Sequence, residues 1–434
     1  MTATNPPARA AVPDTSTFRS LRHRNFRLFF IGQLISQTGT WMMMIVQTLL
    51  VLSLTKSGIT LGLVTAFQFG PVLLLGAWAG AIADRADKRK LLMTVQALAM
   101  VQSTALGLAV LAGWASIPVI FSLAAVQGVL TAFDNPARRA FVVEMVPTED
   151  ISNAVSLNSA IMTGSRVVGP AIAGGLVLWV GYGWPFILNA VTYVAVLVGL
   201  LLMRPSELNR SAPMAKAEGQ VREGLRYIRS EPMLFVPMVM MAIIGTFAFN
   251  FSVTVPLLVN GPLSGGTTTF TLLFSVMSLG SLVGALITAR RTEMTSRQLV
   301  VAAGAFGLTM LLLAASPSLG FAFPAAILLG LASIVFMTSS TAIVQVLAGP
   351  EYRGRVLAIQ GMVFLGSTPI GGPLVGWASD VGGPRAGVAL GGIACLVAAA
   401  YGAKALHVPA RLNGAVDPTT TGEFLLDDGV ALVD

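Results

Sequence analysis

Charged side chains are scarce in this chain: they make up 11% of its 434 residues, whereas hydrophobic residues make up 55%. An ordinary soluble domain carries roughly a quarter charged residues. The supply here is too small to cover a water-facing surface. The composition therefore excludes an ordinary soluble globular protein and indicates a protein whose exterior faces lipid.

Cysteine and histidine are almost absent. A single cysteine, Cys395, excludes an internal disulfide framework and a CxxC metal or redox site. The two histidines, His23 and His407, flank the apolar region, so a histidine proton relay or a metal centre within it is excluded. The chain also lacks a nucleophile motif and the phosphate-binding loop GxxxxGK. We therefore expect no enzyme activity, no cofactor, no metal and no direct use of ATP.

The apolar residues fall in runs long enough to cross a hydrocarbon core of roughly 30 Å. They predict an all-α integral membrane protein with twelve transmembrane helices at 26–53, 59–83, 90–113, 117–145, 150–180, 184–203, 234–260, 268–289, 298–315, 321–347, 355–379 and 385–405.

Lysine and arginine are concentrated on one side of these predicted spans. Of 27 such residues, 24 fall in the tails, in alternate connections or in the span ends that adjoin them, two fall on the other side (Lys56 and Arg385), and Arg166 lies near the middle of a span. The positive-inside rule then places both termini in the cytoplasm. We expect a multi-pass protein of the plasma (inner) membrane. The net charge of +8 is an orientation signal, so no nucleic-acid partner is expected.

Two markers recur with nearly the same offset, of 204 and 203 residues: Gly76/Gly80 with Gly280/Gly284, and Gly169-Pro170 with Gly372-Pro373. Repeated halves with spans interrupted by Gly and Pro at corresponding places are typical of alternating-access transporters. The prediction is two pseudo-symmetric six-helix bundles, at 26–203 and 233–406.

The remaining segments are predicted to lie outside the membrane: an N-terminal tail at 1–25, a central loop at 204–232 and a C-terminal tail at 407–434. In the central loop Val221, Leu225 and Ile228 recur at helical spacing, which predicts an amphipathic helix on the cytoplasmic surface. The C-terminal tail is rich in Thr, Gly and Asp and is expected to be disordered. A monomer is expected.

Several strings resemble the major facilitator superfamily. The loop motif between its second and third spans is matched by Gly80, Ala83, Asp84, Arg85, Lys88 and Arg89. Asp87 replaces the second glycine of that motif, and we expect it to cap the turn. The strings FDNPARRAFVVEMVP (133–147), RVVGPAIAGGL (166–176) and PEYRGRVLAIQGMVFLGSTPIGGPLVG (350–376) resemble the enterobactin-exporter-like group. The resemblance implies the major facilitator fold and proton-driven export of siderophores, drugs or similar small amphipathic molecules.

The same resemblance implies a cytoplasmic gate. Asp84 matches a family acid that interacts with cations and with the positive N-terminal end of the eleventh span. The gate candidates are Gly80, Asp84, Arg85, Lys88, Arg89, Arg138, Arg139, Arg353 and Arg355. A plain orientation signal is the alternative for the cations of the loop motif. Close packing and kinks are expected at Gly169, Pro170, Gly174, Gly175, Gly372 and Pro373, of which the first four are similar to the antiporter signature of drug exporters.

Ionisable residues deep in the spans are functional hypotheses, because an unpaired charge there is costly. Asp134 and Arg166 are equidistant from residue 150, so an antiparallel hairpin would bring them level as an ion pair. Arg138, four residues after Asp134, is the rival partner. Asp134 is the candidate proton carrier, assisted by Arg166, and Glu144 is the next candidate. A permanent structural salt bridge is the alternative.

Polar side chains within the spans are candidates for lining a substrate cavity: Gln33, Gln37, Trp41, Gln68, Gln127, Asn158, Asn250 and Gln345. Their alternative role is contact between helices. An apolar cavity with a few amides favours small amphipathic substrates. The leading hypothesis is a proton-coupled exporter; a dedicated siderophore exporter, an importer of the same fold and a non-transporting membrane scaffold or sensor are the alternatives.

Overall fold

The computed structural model describes residues 16–209, 220–289, 295–349 and 351–406. Within these ranges the chain is helical throughout. The helices are α1 (Arg24–Leu54), α2 (Gly58–Arg85), α3 (Lys88–Leu111), α4 (Ile117–Glu144), α5 (Ile151–Val180), α6 (Gly183–Leu202), α7 (Gln220–Ser230), α8 (Pro232–Phe247), α9 (Phe251–Asn260), α10 (Thr267–Ala289), α11 (Ser296–Ala315), α12 (Leu319–Leu347), α13 (Arg353–Gly382) and α14 (Pro384–Ala405).

Twelve units of this described part are long and apolar enough to cross a membrane. Eleven are single helices, and the seventh, Pro232–Asn260, consists of α8 and α9. The predicted span boundaries agree with the helix ends to within three residues. The prediction of twelve transmembrane helices is confirmed. It succeeded because polar or glycine-containing connections bound each apolar run and end the helix.

One of those connections explains the departure from the family motif. Asp87 is the N-cap of α3, and its side chain accepts a hydrogen bond of 3.1 Å from the backbone N–H of Lys90. A carboxylate at this position satisfies one of the unpaired donors of the first helical turn. Asp87 thus starts α3 by capping, in place of the turn that a glycine would form.

The helices form two bundles with matching internal contacts. In the first bundle α2 packs on α4, α3 on α6, and α1 on α5 and α6. In the second, α10 packs on α12, α11 on α14, and the seventh span on α13 and α14. The bundles meet along α2 with α13 and along α5 with α10. The predicted pseudo-symmetric pair of six-helix bundles is therefore present.

The seventh span was predicted as one continuous helix over 234–260, and this was wrong in detail. Helix α8 ends at Phe247 and α9 begins at Phe251, with Asn250 at the break. The amide nitrogen of Asn250 donates to the Thr246 carbonyl at 2.6 Å, so the side chain satisfies backbone freed by the interruption. Broken helices are tolerated in membrane proteins where such groups are satisfied internally.

The two ends of the bundles differ in charge. At one end α2 stops and α3 and α13 start, and this end carries Lys88, Arg89, Arg139 and Arg355. We call it the basic face. The other end, where α2 starts and α13 stops, is called the opposite face.

Helix α7 lies at the basic face against the second bundle. Glu223 forms an ion pair of 2.8 Å with Arg355, and the ring of Tyr227 stacks on that of Tyr352 with 4.3 Å between centroids. Ile228 is buried. An amphipathic helix in this loop was predicted; of its apolar residues, Ile228 packs on the second bundle and Leu225 is exposed. The prediction of a disordered tail at 407–434, and most of the predicted tail at 1–25, lie outside the described residues.

Candidate functional site

A cavity of about 340 Å³ lies between the two bundles. This volume is within the range of small-molecule binding sites, roughly 300–1,000 Å³. Helices of both bundles contribute to its wall, so a compound inside it would contact both halves at once.

The two walls of the cavity differ in chemistry. The first bundle contributes apolar side chains such as Met44, Phe69 and Leu130, and also most of the polar lining and all of its charges: Gln37, Thr40, Trp41, Gln68, Gln96, Gln127, Thr131, Asp134, Asn135, Arg138, Arg166 and Tyr193. The second contributes aromatic, methionine and small hydroxyl side chains, among them Phe249, Phe251, Phe274, Phe364, Met277, Met337, Ser278 and Ser333. The cavity is therefore amphipathic across the bundle interface.

Asp134 is the acid of the polar wall. It lies on α4, which begins at Ile117 and continues past Pro136 to Glu144. Its carboxylate forms an ion pair with Arg138 one turn later and accepts a 2.7 Å hydrogen bond from Nε2 of Gln96 on α3. The residue is 7% exposed. Both carboxylate oxygens are thus engaged by donors inside the first bundle.

Arg166 is not the partner of Asp134, although hairpin geometry had suggested it. The guanidinium carbon of Arg166 lies 4.7 Å from the centroid of the Trp41 ring, in a cation–π arrangement. Arg138 pairs with the carboxylate because it lies on the same helix at four-residue spacing. This pairing does not require residues of two helices to lie at the same depth. Arg166 makes no hydrogen bond or ion pair to any other residue in the described part of the chain.

Glu144, the second coupling candidate, lies at the last residue of α4 and outside the cavity lining. Its carboxylate forms a 2.8 Å ion pair with Lys88 at the start of α3, and the two residues are 5% and 9% exposed. The pair joins the end of α4 to the start of α3. Lys88, one of the cations predicted to belong to the gate, is therefore bound within the first bundle.

The other predicted gate residues are not assembled in this structure. Asp84 and Arg353 are exposed, and neither has an ion-pair partner among the described residues. Arg355 binds Glu223 of α7, and Arg89 donates to the carbonyls of Leu200 and Leu201 at 2.6 and 3.2 Å. Within the described part of the chain, no hydrogen bond or ion pair joins Gly80, Arg85, Arg138 or Arg139 to the second bundle. The cause is geometric, because α2 and α13 part toward the basic face.

The glycines of α2 and α13 also show that the two helices are close at one end and apart at the other. A methyl group added to Gly80 would meet no heavy atom within 4 Å. Near the opposite face, one added to Gly58 would lie 2.6 Å from the Gly376 carbonyl oxygen, and Gly62 faces Gly372 as closely. Only glycine permits backbones to approach this far. Helices α2 and α13 are therefore in close contact near the opposite face and separated at the basic face.

Asp380 adds a polar contact to the closed end. One carboxylate oxygen accepts hydrogen bonds from the Ser57 hydroxyl and the Ile59 N–H at 2.9 and 3.0 Å, and the other accepts from the Gly58 N–H at 2.5 Å. The carboxylate thus sits at the positive N-terminal end of α2, where a negative charge is favoured. Asp380 was not predicted from the sequence; an acid at the end of an apolar span was the available signal.

The packing residues predicted from the repeated Gly-Pro markers have mixed environments. Gly169 faces α1 at Trp41, Gly174 faces Thr271 of α10, and Gly372 faces α2. Pro170 and Pro373 lie inside α5 and α13 without ending them. Gly175 has no neighbour within 4 Å of an added methyl group.

Four of the predicted cavity residues line the cavity: Gln37, Trp41, Gln68 and Gln127. Gln33 is buried outside it, Asn158 and Gln345 are not among the lining residues, and Asn250 lies at the break of the seventh span. Gln96 on α3 and Tyr193 on α6 also line the cavity and were not among the predicted cavity residues. The sequence reasoning also missed the aromatic wall, since phenylalanines in a membrane span carry no distinguishing pattern.

Two pseudo-symmetric helical bundles around a central amphipathic cavity define a multi-pass membrane transporter. The chain belongs to the transmembrane secretion effector family of the major facilitator superfamily, whose model matches residues 15–421. The family consists of transporters, so the expectation that this protein is not an enzyme is confirmed.

Two curated relatives cover most of the chain. The Staphyloferrin A transporter of Staphylococcus aureus is 26% identical over 82% of this chain and 90% of its own length. Macrolide efflux protein A of Streptococcus pyogenes is 22% identical over 81% and 89%. The two names indicate that related proteins handle different small molecules.

Solved structures show the same fold. A bacterial homologue of the human lysosomal transporter Spinster, described as inward-facing and unoccupied, aligns with a TM-score of 0.71 and 14% identity over 88% of this chain and 97% of its own. A POT family transporter in complex with a thioalcohol-conjugated peptide aligns with a TM-score of 0.70 and 13% identity over 89% and 98%.

Proposed function

We propose that this transporter is a proton-coupled exporter of small amphipathic compounds that works as a monomer in the plasma membrane, with both termini in the cytoplasm. The amphipathic cavity carries this proposal, because one wall offers amides and charges and the other offers phenylalanines. An inorganic ion would leave the aromatic wall without a partner, and a sugar has no extended apolar body to cover it. A compound with a polar end and an apolar body engages both walls.

The orientation follows from the basic face. Its cations make it the cytoplasmic side by the positive-inside rule. The cavity is closed at the opposite face by the contacts of α2 with α13, including Gly58 with Gly376 and Asp380 with the start of α2. The conformation is then one that accepts substrate from the cytoplasm, which is the loading state of an exporter.

Asp134 is the proposed proton carrier. Among the described residues that line the cavity it is the single acid. Proton uptake would turn its carboxylate into a neutral carboxyl and weaken the ion pair with Arg138, because one partner loses its charge. The change alters the contact between α3 and α4 through Gln96. Substrate and proton then compete for the same polar wall, as exchange of one for the other requires.

The gate is proposed to close when α2 and α13 come together at the basic face. Asp84, exposed at the end of α2, would then reach the N-terminal end of α13 near Arg353 and Arg355. This contact would mirror the one that Asp380 makes with α2 at the other end. A dedicated siderophore exporter is the second candidate, favoured by the similarity to the Staphyloferrin A transporter.

Efflux from intact cells tests the proposed function. Cells expressing the protein are loaded with a fluorescent amphipathic dye, and its exit is followed with and without a protonophore. Wild type is expected to expel the dye only while the proton gradient exists, and Asp134→Asn is expected to lose gradient-driven efflux. Arg229→Gln, on the exposed surface of α7, is the matched control. Equal efflux by wild type and Asp134→Asn, unaffected by the protonophore, would overturn the proposal.

A further inference from the structure

The cavity contains two arginines in different chemical situations. Arg138 is neutralised by its ion pair with Asp134 on the same helix. Arg166 has the Trp41 ring against it and no carboxylate, hydroxyl or carbonyl partner among the described residues. The polar wall therefore carries an excess positive charge located at Arg166.

The position of Arg166 makes that charge available to a ligand. The residue is 15 positions into α5, about 22 Å along the helix at 1.5 Å per residue, near the middle of the span. It lines the cavity, and its side chain is exposed there. An arginine at this depth is costly unless it has a partner or a functional role.

The Trp41 ring lies 4.7 Å from the guanidinium carbon, and no hydrogen-bond acceptor among the described residues binds the guanidinium nitrogen atoms. A guanidinium has five N–H donors in a fixed plane. Two of them can bind a carboxylate in parallel, a geometry that a ring below the plane does not obstruct. The contact with Trp41 restricts where the guanidinium can lie, so the donors are confined to this part of the cavity before a ligand arrives.

The rest of the cavity defines the other half of such a ligand. All the charged residues of the lining belong to the first bundle, and the second bundle presents Phe249, Phe251, Phe274 and Phe364. A molecule whose acidic group meets Arg166 would place its body against these rings. A cation is repelled by the guanidinium, and a neutral acceptor can accept hydrogen bonds from it but does not neutralise its charge.

We propose that Arg166, held by Trp41, is a specificity-determining residue that selects amphipathic organic anions, carboxylates in particular, as substrates. This substrate class rests on the proposed transport function. The anion's carboxylate accepts two hydrogen bonds from Arg166, and its apolar part packs on the aromatic wall. Export then carries the negative charge of the anion out of the cavity, whereas the charges of Arg138 and Asp134 remain in the protein.

Binding to the purified protein in nanodiscs of zwitterionic lipid tests this assignment. The probes are a dansylated long-chain carboxylic acid, its methyl ester and the quaternary amine with the same chain. Wild type is expected to bind the acid at least about tenfold more tightly than the ester, equivalent to about 1.4 kcal/mol. The amine is expected to bind most weakly.

Substitutions locate the preference. Arg166→Gln is expected to bind acid and ester equally, Arg166→Lys to keep part of the preference, and Arg229→Gln on α7 to behave as wild type. Unchanged binding of the ester by every variant shows that each one is folded. Equal binding of acid and ester by wild type, or a tenfold preference that survives in Arg166→Gln, would overturn the assignment.

The two proposals fail separately. A preference for the acid that depends on Arg166, without gradient-driven efflux, would refute the proposed export and leave the anion selectivity standing. Gradient-driven efflux without any preference for the acid would do the reverse.

Discussion

Arg138 and Asp134 form an ion pair one helical turn apart on α4, and Gln96 from α3 supplies the second hydrogen bond to the Asp134 carboxylate. The pair faces the cavity yet is satisfied entirely by the first bundle. In the proposed mechanism, protonation of Asp134 weakens a contact within one half of the transporter and so changes how α3 and α4 pack.

The ion pair between Asp134 and Arg138 should contribute measurably to the stability of the folded protein. Asp134→Leu leaves the largely buried Arg138 without its partner and is expected to destabilise the protein by about 3 kcal/mol. The double variant Asp134→Leu/Arg138→Leu is expected to recover most of that loss, because no unpaired charge remains. Thermal unfolding of the detergent-solubilised protein measures both. A double variant no more stable than Asp134→Leu would show that the two side chains are not energetically linked.

Glu144 should be dispensable for proton coupling. Its ion pair with Lys88 lies at the basic face, outside the cavity lining. Glu144→Gln is expected to lower thermal stability but to leave efflux per folded molecule dependent on the proton gradient. The measurement is dye efflux normalised to the amount of protein in the membrane. Gradient-independent efflux by Glu144→Gln would move the coupling role from Asp134 to Glu144.

The aromatic wall should set affinity for the apolar part of a substrate. The Phe364 ring packs edge-on against Phe249 with 5.1 Å between centroids, and both line the cavity. Phe364→Ala is expected to weaken binding of the dansylated ester about tenfold, because a large apolar contact area is lost. Phe321→Ala is the control, since Phe321 is 66% exposed and outside the cavity. Equal affinities for the two variants would count against the proposed placement of the substrate.

The close approach of α2 to α13 should require glycine. Gly372→Ala is expected to reduce transport at least about tenfold, because the added methyl group meets the backbone of Gly62 and the hydroxyl of Thr65. Gly175→Ala, which meets nothing within 4 Å, is expected to transport like wild type. Initial rates of dye efflux compare the two. Wild-type transport by Gly372→Ala would show that the helices need not pack this closely.

Asp380 should stabilise the conformation seen here. Asp380→Ala removes three hydrogen bonds to the first turn of α2 and is expected to shift the transporter away from closure at the opposite face. In a Cys395→Ser background, a cysteine at Gly80 reports the opening of the basic face through its rate of reaction with a membrane-impermeant maleimide. We expect Asp380→Ala to slow this reaction several-fold. An unchanged rate would mean that Asp380 does not influence the conformational equilibrium.

The helices of this protein were predictable because lipid imposes a strong constraint on sequence. Every span needs about 20 apolar residues, and the connections between spans are marked by charge, glycine and proline. The repeat of Gly169-Pro170 as Gly372-Pro373 then indicated two related halves. The break at Asn250 was not predictable, since the flanking sequence is apolar on both sides and a helix could have continued through it.

The candidate site was predictable only in part. Buried charges are rare enough to be found by inspection, so Asp134, Arg138 and Arg166 were identified, but their pairing depends on side-chain reach and on the rotation of α5. The open gate illustrates a different limit. Asp84 and Arg353 are exposed and form no ion pair within the described residues in this conformation, and a sequence does not specify which state of an alternating-access protein is populated.

Transport in proteoliposomes tests the central claim most directly. Purified protein is reconstituted with a fluorescent amphipathic carboxylate outside and a pH gradient imposed across the membrane, and both dye uptake and internal pH are recorded. In vesicles whose protein exposes the basic face outward, an acidic interior is expected to drive dye inward while protons leave, and Asp134→Asn is expected to abolish both fluxes. Dye uptake that ignores the pH gradient, or that Asp134→Asn supports at the wild-type rate, would contradict proton-coupled export.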